Sequence, residues 1–281
     1  MVDCHIHMVL DGQYWKSAIA RHSQQADIPW IRAVLETYHN SGFTYLRDCG
    51  DRWGVGQTAR EMARHYGIVY RTPLASLYKK GHYGGIIGLP FETLKEFAVL
   101  VRQNKEAGAD FIKIMISGLM DFDRFGVLTE EGLEPDEIKE LIHIAHEEGM
   151  AVSVHGNGEK NVLAAARTGV DSVEHGAYLT EETLHAMAEA GTVWVPTLST
   201  IGNLRGTGRF SETAVEKILE SAVANVSRFA QMGGLIAPGT DAGAWAVPHG
   251  IQTEFSLLRQ ALGEDTDALL EKGAAVIRAK F

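Results

Sequence analysis

The chain has 281 residues, 45% of them hydrophobic and 22% charged, which excludes a disordered polypeptide or a stapled mini-protein and suits one large domain. Twenty-six basic against 36 acidic residues give a formal charge of −10, which weighs against nucleic acid as a partner but allows a small anionic substrate held by an arginine or two. Cys4 and Cys49 make no disulfide framework, no basic-then-apolar leader opens the chain, and no apolar run approaches ~18 residues, so a cytoplasmic protein with no membrane segment is expected.

Val2 to His7 reads as a first strand. His5 and His7, two apart, then share one side, and Cys4 is expected on the other, toward the helices. The next amphipathic run places Trp30, Val34 and Tyr38 on one helical face beside Ile31 and Leu35, and stops at Gly42 before the strand Phe43–Arg47. The same unit recurs at Gly67 before Ile68–Tyr70, Gly108 before Phe111–Ile114, and Gly149 before Ala151–Val154. It recurs again at Gly169 before Val170–Val173, Gly191 before Thr192–Val195, and Gly233-Gly234 before Leu235–Ala237. Glycine just past a helix end is a stop signal. Pro135 suits the first turn of a helix, and Ser211 suits the N-cap of a long one.

Eight strands alternating with helices predict an α/β fold of the (β/α)8 TIM-barrel type, with residues 1–281 forming a single domain. The competing doubly wound sheet normally shows a glycine-rich phosphate turn after its first strand, and none is present. Long segments at 8–27, 76–91, 117–134, 198–210 and 242–250 follow carboxyl ends of strands, where barrels build their sites.

Those same ends carry polar residues. His155 and His175 each close a strand and precede a glycine, Asp241 follows the last strand, and Lys113 sits inside the apolar strand Phe111–Met115. Singly, each has a plain explanation: a hydrogen-bonded histidine, a turn-capping aspartate, or a lysine that snorkels outward or pairs with Asp110 or Asp121. Together with His5 and His7 they bring imidazoles, a carboxylate and an amine from five strands to one rim, a donor set suited to zinc.

The ordered pieces Asp3-Cys-His-Ile-His, Phe111-Ile-Lys, Val154-His-Gly, Val173-Glu-His-Gly and Gly239-Thr-Asp-Ala resemble the amidohydrolase superfamily over nearly the whole chain. Gly169-Val-Asp-Ser-Val-Glu-His-Gly and Gly239-Thr-Asp-Ala are most similar to its imidazolonepropionase-like group, which includes dipeptidases and metal carboxypeptidases acting on Xaa-Pro or Xaa-Arg substrates. The resemblance implies two divalent ions, zinc by preference. His5, His7 and Asp241 would hold the more buried ion and His155 and His175 the second, and a CO2-derived carbamate on Lys113 would bridge them. It further implies hydrolysis of a C–N amide bond, in a dipeptide or N-acyl amino acid, by water activated at the metals, with Asp241 taking up and returning the proton. The alternatives are a mononuclear deaminase or cyclic-amidine hydrolase, and a non-catalytic metal-binding barrel. Such deaminases often carry a glutamate three residues after the histidine of the fifth strand and have no need of the lysine. Here that position is Gly158, with Glu159 one further on.

Substrate contacts are expected from His82, Tyr178, Arg205, Arg209 and His249, each of which also reads as a solvated loop side chain. Met120, Phe122 and Phe125 form either an apolar lid or a packed loop. Members of the superfamily mostly carry a small β-sandwich domain, expected to be missing here by natural reduction, truncation or degeneration. The short final helices suggest that contacts in a homo-oligomer help to close the barrel.

Overall fold

The glycine-punctuated alternation folds as a ring of parallel strands inside a layer of helices. A computed structural model describes residues 1–281. In chain order its elements are β1 (Val2–Ile6), α1 (Trp15–Arg21), α2 (Ile28–Asn40), β2 (Tyr45–Asp48), α3 (Val55–Ala63), β3 (Val69–Arg71), β4 (Leu77–Lys79), β5 (Leu89–Phe91) and α4 (Leu94–Glu106). There follow β6 (Ile112–Met115), α5 (Pro135–Glu147), β7 (Val152–Gly156), α6 (Glu159–Arg167), β8 (Ser172–His175) and α7 (Glu181–Ala190). The chain continues through β9 (Val193–Val195), α8 (Ser199–Gly202), α9 (Glu212–Gln231), β10 (Leu235–Ile236), α10 (Thr253–Leu262) and α11 (Thr266–Lys280).

The strands pair as β1-β2-β3 and as β10-β9-β8-β7-β6-β4-β5. The barrel's third strand is therefore broken. β3 pairs with β2 and β4 pairs with β6, with Pro73 in the break between them. The Asp110 carboxylate covers that break, accepting from the Thr72 amide at 2.9 Å. β4 and β5 both lie in the segment 76–91, expected to be a plain connection. Three residues are too few for alternation to show in a sequence.

The other seam is closed by backbone hydrogen bonds. Cys4 donates to the Pro238 carbonyl (2.8 Å), Asp241 to His5 (2.7 Å) and His7 to Ala242 (2.7 Å). Helix α11 lies so close under β10 that a Cβ added at Gly273 would sit 2.0 Å from the Ile236 carbonyl oxygen. Closure near β1 is thus made by contacts within the chain.

One expectation is met only in part at β1: Cys4 stays out of the cavity lining, but it does not pack with Ile6. Asp3 opposes Leu46 and Ile6 opposes Asp48, so β1 advances three residues while β2 advances two. This bulge breaks the strict alternation. Ile6 packs with Ile31, Leu35 and Leu46 toward the helices, whereas Cys4 joins a separate buried cluster with Tyr45, Phe111, Val193, Val195 and Phe281. Cys4 therefore does not sit with the helix-facing residues of its own strand.

The helices bury the faces their spacing dictates: Ile31, Val34, Leu35 and Tyr38 on α2, Ile138, Leu141, Ile142 and Ala145 on α5, and Val215, Ile218, Val226 and Phe229 on α9. Ser211 caps α9 by accepting from the Ala214 amide. No helix is long and apolar enough to cross a membrane.

Trp194 on β9 connects this core to the barrel mouth. Its ring meets Phe229 edge-on at 5.5 Å, and its Nε1–H donates to the His175 carbonyl at 3.0 Å. Trp194→Ala is expected to lower the free energy of unfolding by about 3–5 kcal/mol, read by urea titration. A loss under about 1 kcal/mol would mean the core closes over the missing ring.

Candidate metal centre

Strand register sets the floor of the barrel. Lys113 is paired with Ser153 and Ser153 with Ser172, and one row higher His155 is paired with Glu174. Parallel partners share a face, so these side chains form layers inside the ring. Glu174 is fully buried and takes four partners: His5 Nδ1–H (2.7 Å), Arg47 Nη2–H (2.7 Å), Ser153 Oγ–H (2.8 Å) and Ser172 Oγ–H (2.7 Å). With Nδ1 on this carboxylate, His5 turns its Nε2 toward the mouth.

Glu174 and His175 are adjacent, so a regular strand would aim them to opposite faces. His175 escapes by adopting φ +69°, in the left-handed region. Its ring then turns into the mouth, 4.5 Å from the His155 ring and 5.0 Å from the His5 ring, with Nδ1 on the Thr197 hydroxyl (2.7 Å). Asp241 does the same, with φ +58°. Gly239 allows the close approach. A Cβ there would lie 2.3 Å from Val195 Cγ1 and 2.8 Å from His5 Cβ.

The result is a convergence of donors. Asp241 Oδ1 lies 3.2 Å from His5 Nε2 and 3.0 Å from His7 Nε2. One donor atom each from His5, His175 and Asp241 falls within a mutual 4.8 Å, and so does one each from His5, His7 and Cys49. His5 Nε2, His7 Nδ1 and Asp241 Oδ1 are buried without a hydrogen-bond partner. Buried polar atoms left unpaired are costly, and a cation held among them would satisfy the histidine and carboxylate lone pairs. The donor set fits a divalent ion.

Electrostatics prepare His155, His175 and Asp241 in the forms a cation requires. Burial, reinforced by the Lys113 charge, pushes the His155 imidazole down to about 3. Burial and the neighbouring His155 likewise hold His175 well below the ordinary value, so both rings are neutral at pH 7 with a lone pair to offer. Burial would raise the Asp241 carboxyl, but His5 and His7 outweigh it and hold the group well below the usual carboxylate range.

Neither plain explanation for Lys113 holds. Its side chain is 1% exposed, its Nζ reaches only the Ser153 hydroxyl at 3.4 Å, and burial lowers its ammonium below the usual value. Asp110 is taken by Arg60 and Arg71, and Asp121 by Arg124.

Above these groups lies a cavity of about 500 Å³. Trp15, Ile86, Leu119, Met120, Phe122, Phe210 and Trp245 form apolar walls. Of the substrate contacts expected from sequence, Arg209 lines the cavity, its guanidinium 4.1 Å from the Trp245 ring centre. The other four stand outside it. His82 Nδ1 lies 3.7 Å from a Glu130 oxygen, and the Tyr178 ring packs on Phe125 at 5.5 Å. Arg205 Nε donates to the Gly202 carbonyl at 3.3 Å. His249 joins the Tyr38 hydroxyl (3.1 Å) to the Leu10 carbonyl (2.9 Å), with its pKa pushed by burial down to about 4. Met120 and Phe122 face the cavity, whereas Phe125 does not line it.

Sequence reasoning missed three residues. Tyr83, next to His82, lines the cavity and packs on the His155 ring at 4.7 Å. Arg47 and Glu174 lay in view as charges within apolar strands, the same signal that singled out Lys113. Glu159 is exposed at the start of α6, where its carboxylate accepts from the Thr180 hydroxyl at 3.2 Å, and it does not line the cavity.

Comparison with known proteins finds relatives of the chain. A model of the Amidohydrolase family matches residues 1–273. Ochratoxinase of Aspergillus niger is 27% identical over 297 aligned residues, which cover 92% of this chain and 60% of that enzyme. An uncharacterized protein of Mycobacterium tuberculosis is 26% identical over 270 residues, covering 92% of this chain and 68% of that one. The chain spans 60% of the length of the ochratoxinase it matches. Among solved structures, an Xaa-Pro dipeptidase with bound methionine superposes with TM-score 0.78 at 22% identity, covering 100% of this chain and 75% of that one. A prolidase complexed with N-methylphosphonate-L-proline also gives TM-score 0.78 at 22% identity, covering 99% and 74%. At such identities the structural likeness is one of fold.

The buried ion pair under the centre makes a direct prediction. Arg47→Met strands the Glu174 carboxylate without its cation and is expected to cost about 3–5 kcal/mol of stability, read by denaturant titration. A variant as stable as the parent would show that the pair does not anchor the interior.

Proposed function

The chain belongs to the amidohydrolase family, and from that membership and the geometry of the barrel mouth we propose that it hydrolyses a C–N amide bond in an N-acyl amino acid or dipeptide, using two zinc ions. The observation that carries this reading is the set of buried, unsatisfied donors on His5, His7 and Asp241 beside a buried lysine with no anionic partner. His5, His7 and Asp241 would hold one ion, and His155 and His175 the other. Lys113, its charge already disfavoured by burial, would react as the neutral amine with CO2, forming an N–C bond and releasing a proton to solvent. The resulting carbamate would bridge the two ions and turn an unpaired cation into an anionic ligand.

Bound there, divalent ions would supply acidity to water near neutral pH and Lewis-acid polarisation of the scissile carbonyl. The protein's own groups do the rest. Asp241, held ionised, accepts the attacking water's proton and returns it to the departing amine. Arg209, stacked on Trp245, offers its guanidinium fork to the substrate's carboxylate at the cavity rim. The walls of Trp15, Ile86, Phe122, Phe210 and Trp245 suit a bulky apolar acyl or side-chain group and exclude water from the reacting carbonyl. The ochratoxinase likeness and the dipeptidase-like fold agree with this class of bond. No observation favours the one-metal deaminase, because Glu159 is exposed and the lysine such enzymes do not need is present and buried. Residues 1–281 act, on this reading, as one catalytic domain.

The test is release of free amino acid from a panel of dipeptides and N-acyl amino acids, with protein prepared in zinc and bicarbonate. Turnover is expected, with Lys113→Ala and Asp241→Asn each losing about 100-fold or more in kcat. Arg209→Met is expected to raise KM for carboxylate-bearing substrates by about tenfold while leaving kcat nearly unchanged. Full activity in Lys113→Ala would overturn the two-metal reading.

A further inference from the structure

Cys49 is the first residue beyond β2 and is 2% exposed, a buried thiol for which the mechanism above has no use. Its amide donates to the Ile6 carbonyl at 2.9 Å, which ties the carboxyl end of β2 to that of β1. The thiol is thereby brought level with His5 and His7. One ring nitrogen of each histidine and the Cys49 sulfur lie within a mutual 4.8 Å. Independently, His5 Nε2 and His7 Nδ1 are buried with no hydrogen-bond partner, so the histidines beside the sulfur have lone pairs unused. Two imidazoles and a sulfur at this spacing are within reach of zinc bonds of ~2.0–2.3 Å.

We propose that Cys49 is a thiolate ligand of the same ion that His5 and His7 hold. The proposal rests on the metal-centre reading above and adds a sulfur donor to it. Binding breaks the S–H bond, forms one S–metal bond and releases one proton to solvent, with no change of oxidation state. A soft sulfur in this position biases the inner site toward zinc over oxygen-preferring ions such as manganese or magnesium. The other thiol is an internal control. Cys4 lies in the apolar cluster with Tyr45, Phe111 and Phe281 and is not among the grouped donors.

The test is to load the full chain with cobalt(II) and record its absorption. A near-ultraviolet sulfur-to-cobalt charge-transfer band is expected in the parent and in Cys4→Ser, and is lost in Cys49→Ser while the visible cobalt bands remain. X-ray absorption of the zinc-loaded parent needs no variant to fold and should show a sulfur scatterer at about 2.3 Å. Visible cobalt bands with no charge-transfer band, or a zinc shell of nitrogen and oxygen only, would overturn the thiolate while leaving the metal centre standing. A folded parent that retains no cobalt would overturn both.

Discussion

A single buried carboxylate organises the interior of this barrel. Glu174 has no exposed surface and would cost several kcal/mol to bury as an unpaired anion. It is accommodated because Arg47, His5, Ser153 and Ser172 all point at it. The burden then passes upward and downward. Arg47 is itself fully buried, stacked 4.6 Å from the Phe281 ring at the lower end of the barrel. His5 is oriented with its free nitrogen toward the mouth. One constraint thus joins the C-terminal helix, the barrel floor and the ligand set.

The second feature of the design is backbone strain at the rim. His175, Thr197 and Asp241 all have positive φ, a conformation that costs a non-glycine residue of order 1–3 kcal/mol at such positions. The surrounding bonds hold them there: Trp194 donates to the His175 carbonyl, and Asp241 donates to His5. The strain gives strand β8 two inward side chains in succession, one anchoring from below and one facing the cavity. A regular strand would have had to choose between them.

Much of this was legible in the sequence, for physical reasons. Glycines after amphipathic runs announce helix ends, and the seven strands that follow them, like the opening strand, lie where expected. Histidines at strand ends, an isolated Asp241 and a lysine in an apolar strand stand out against composition, and the folded chain brings all six residues to one mouth. Other features were hidden. The strands β4 and β5 are too short for periodicity, and the bulge in β1, which separates Cys4 from Ile6, leaves no mark on composition. Nothing local distinguishes Tyr83, which lines the cavity, from His82 beside it, because loop conformation decides between them. His249 looked available for substrate, but the packing of Tyr38 and Leu10 consumes both its nitrogens. Glu174 and Arg47 were visible as charges in apolar strands, and only the register between distant strands shows that they serve each other.

The proposed catalysis depends on two ions that Lys113 would hold together. Its most direct test is metal content per chain, by plasma mass spectrometry, on protein grown with zinc and bicarbonate. Two equivalents in the parent, falling toward one in Lys113→Ala, is the predicted result. One equivalent indifferent to Lys113, or a folded chain that binds none, would contradict it.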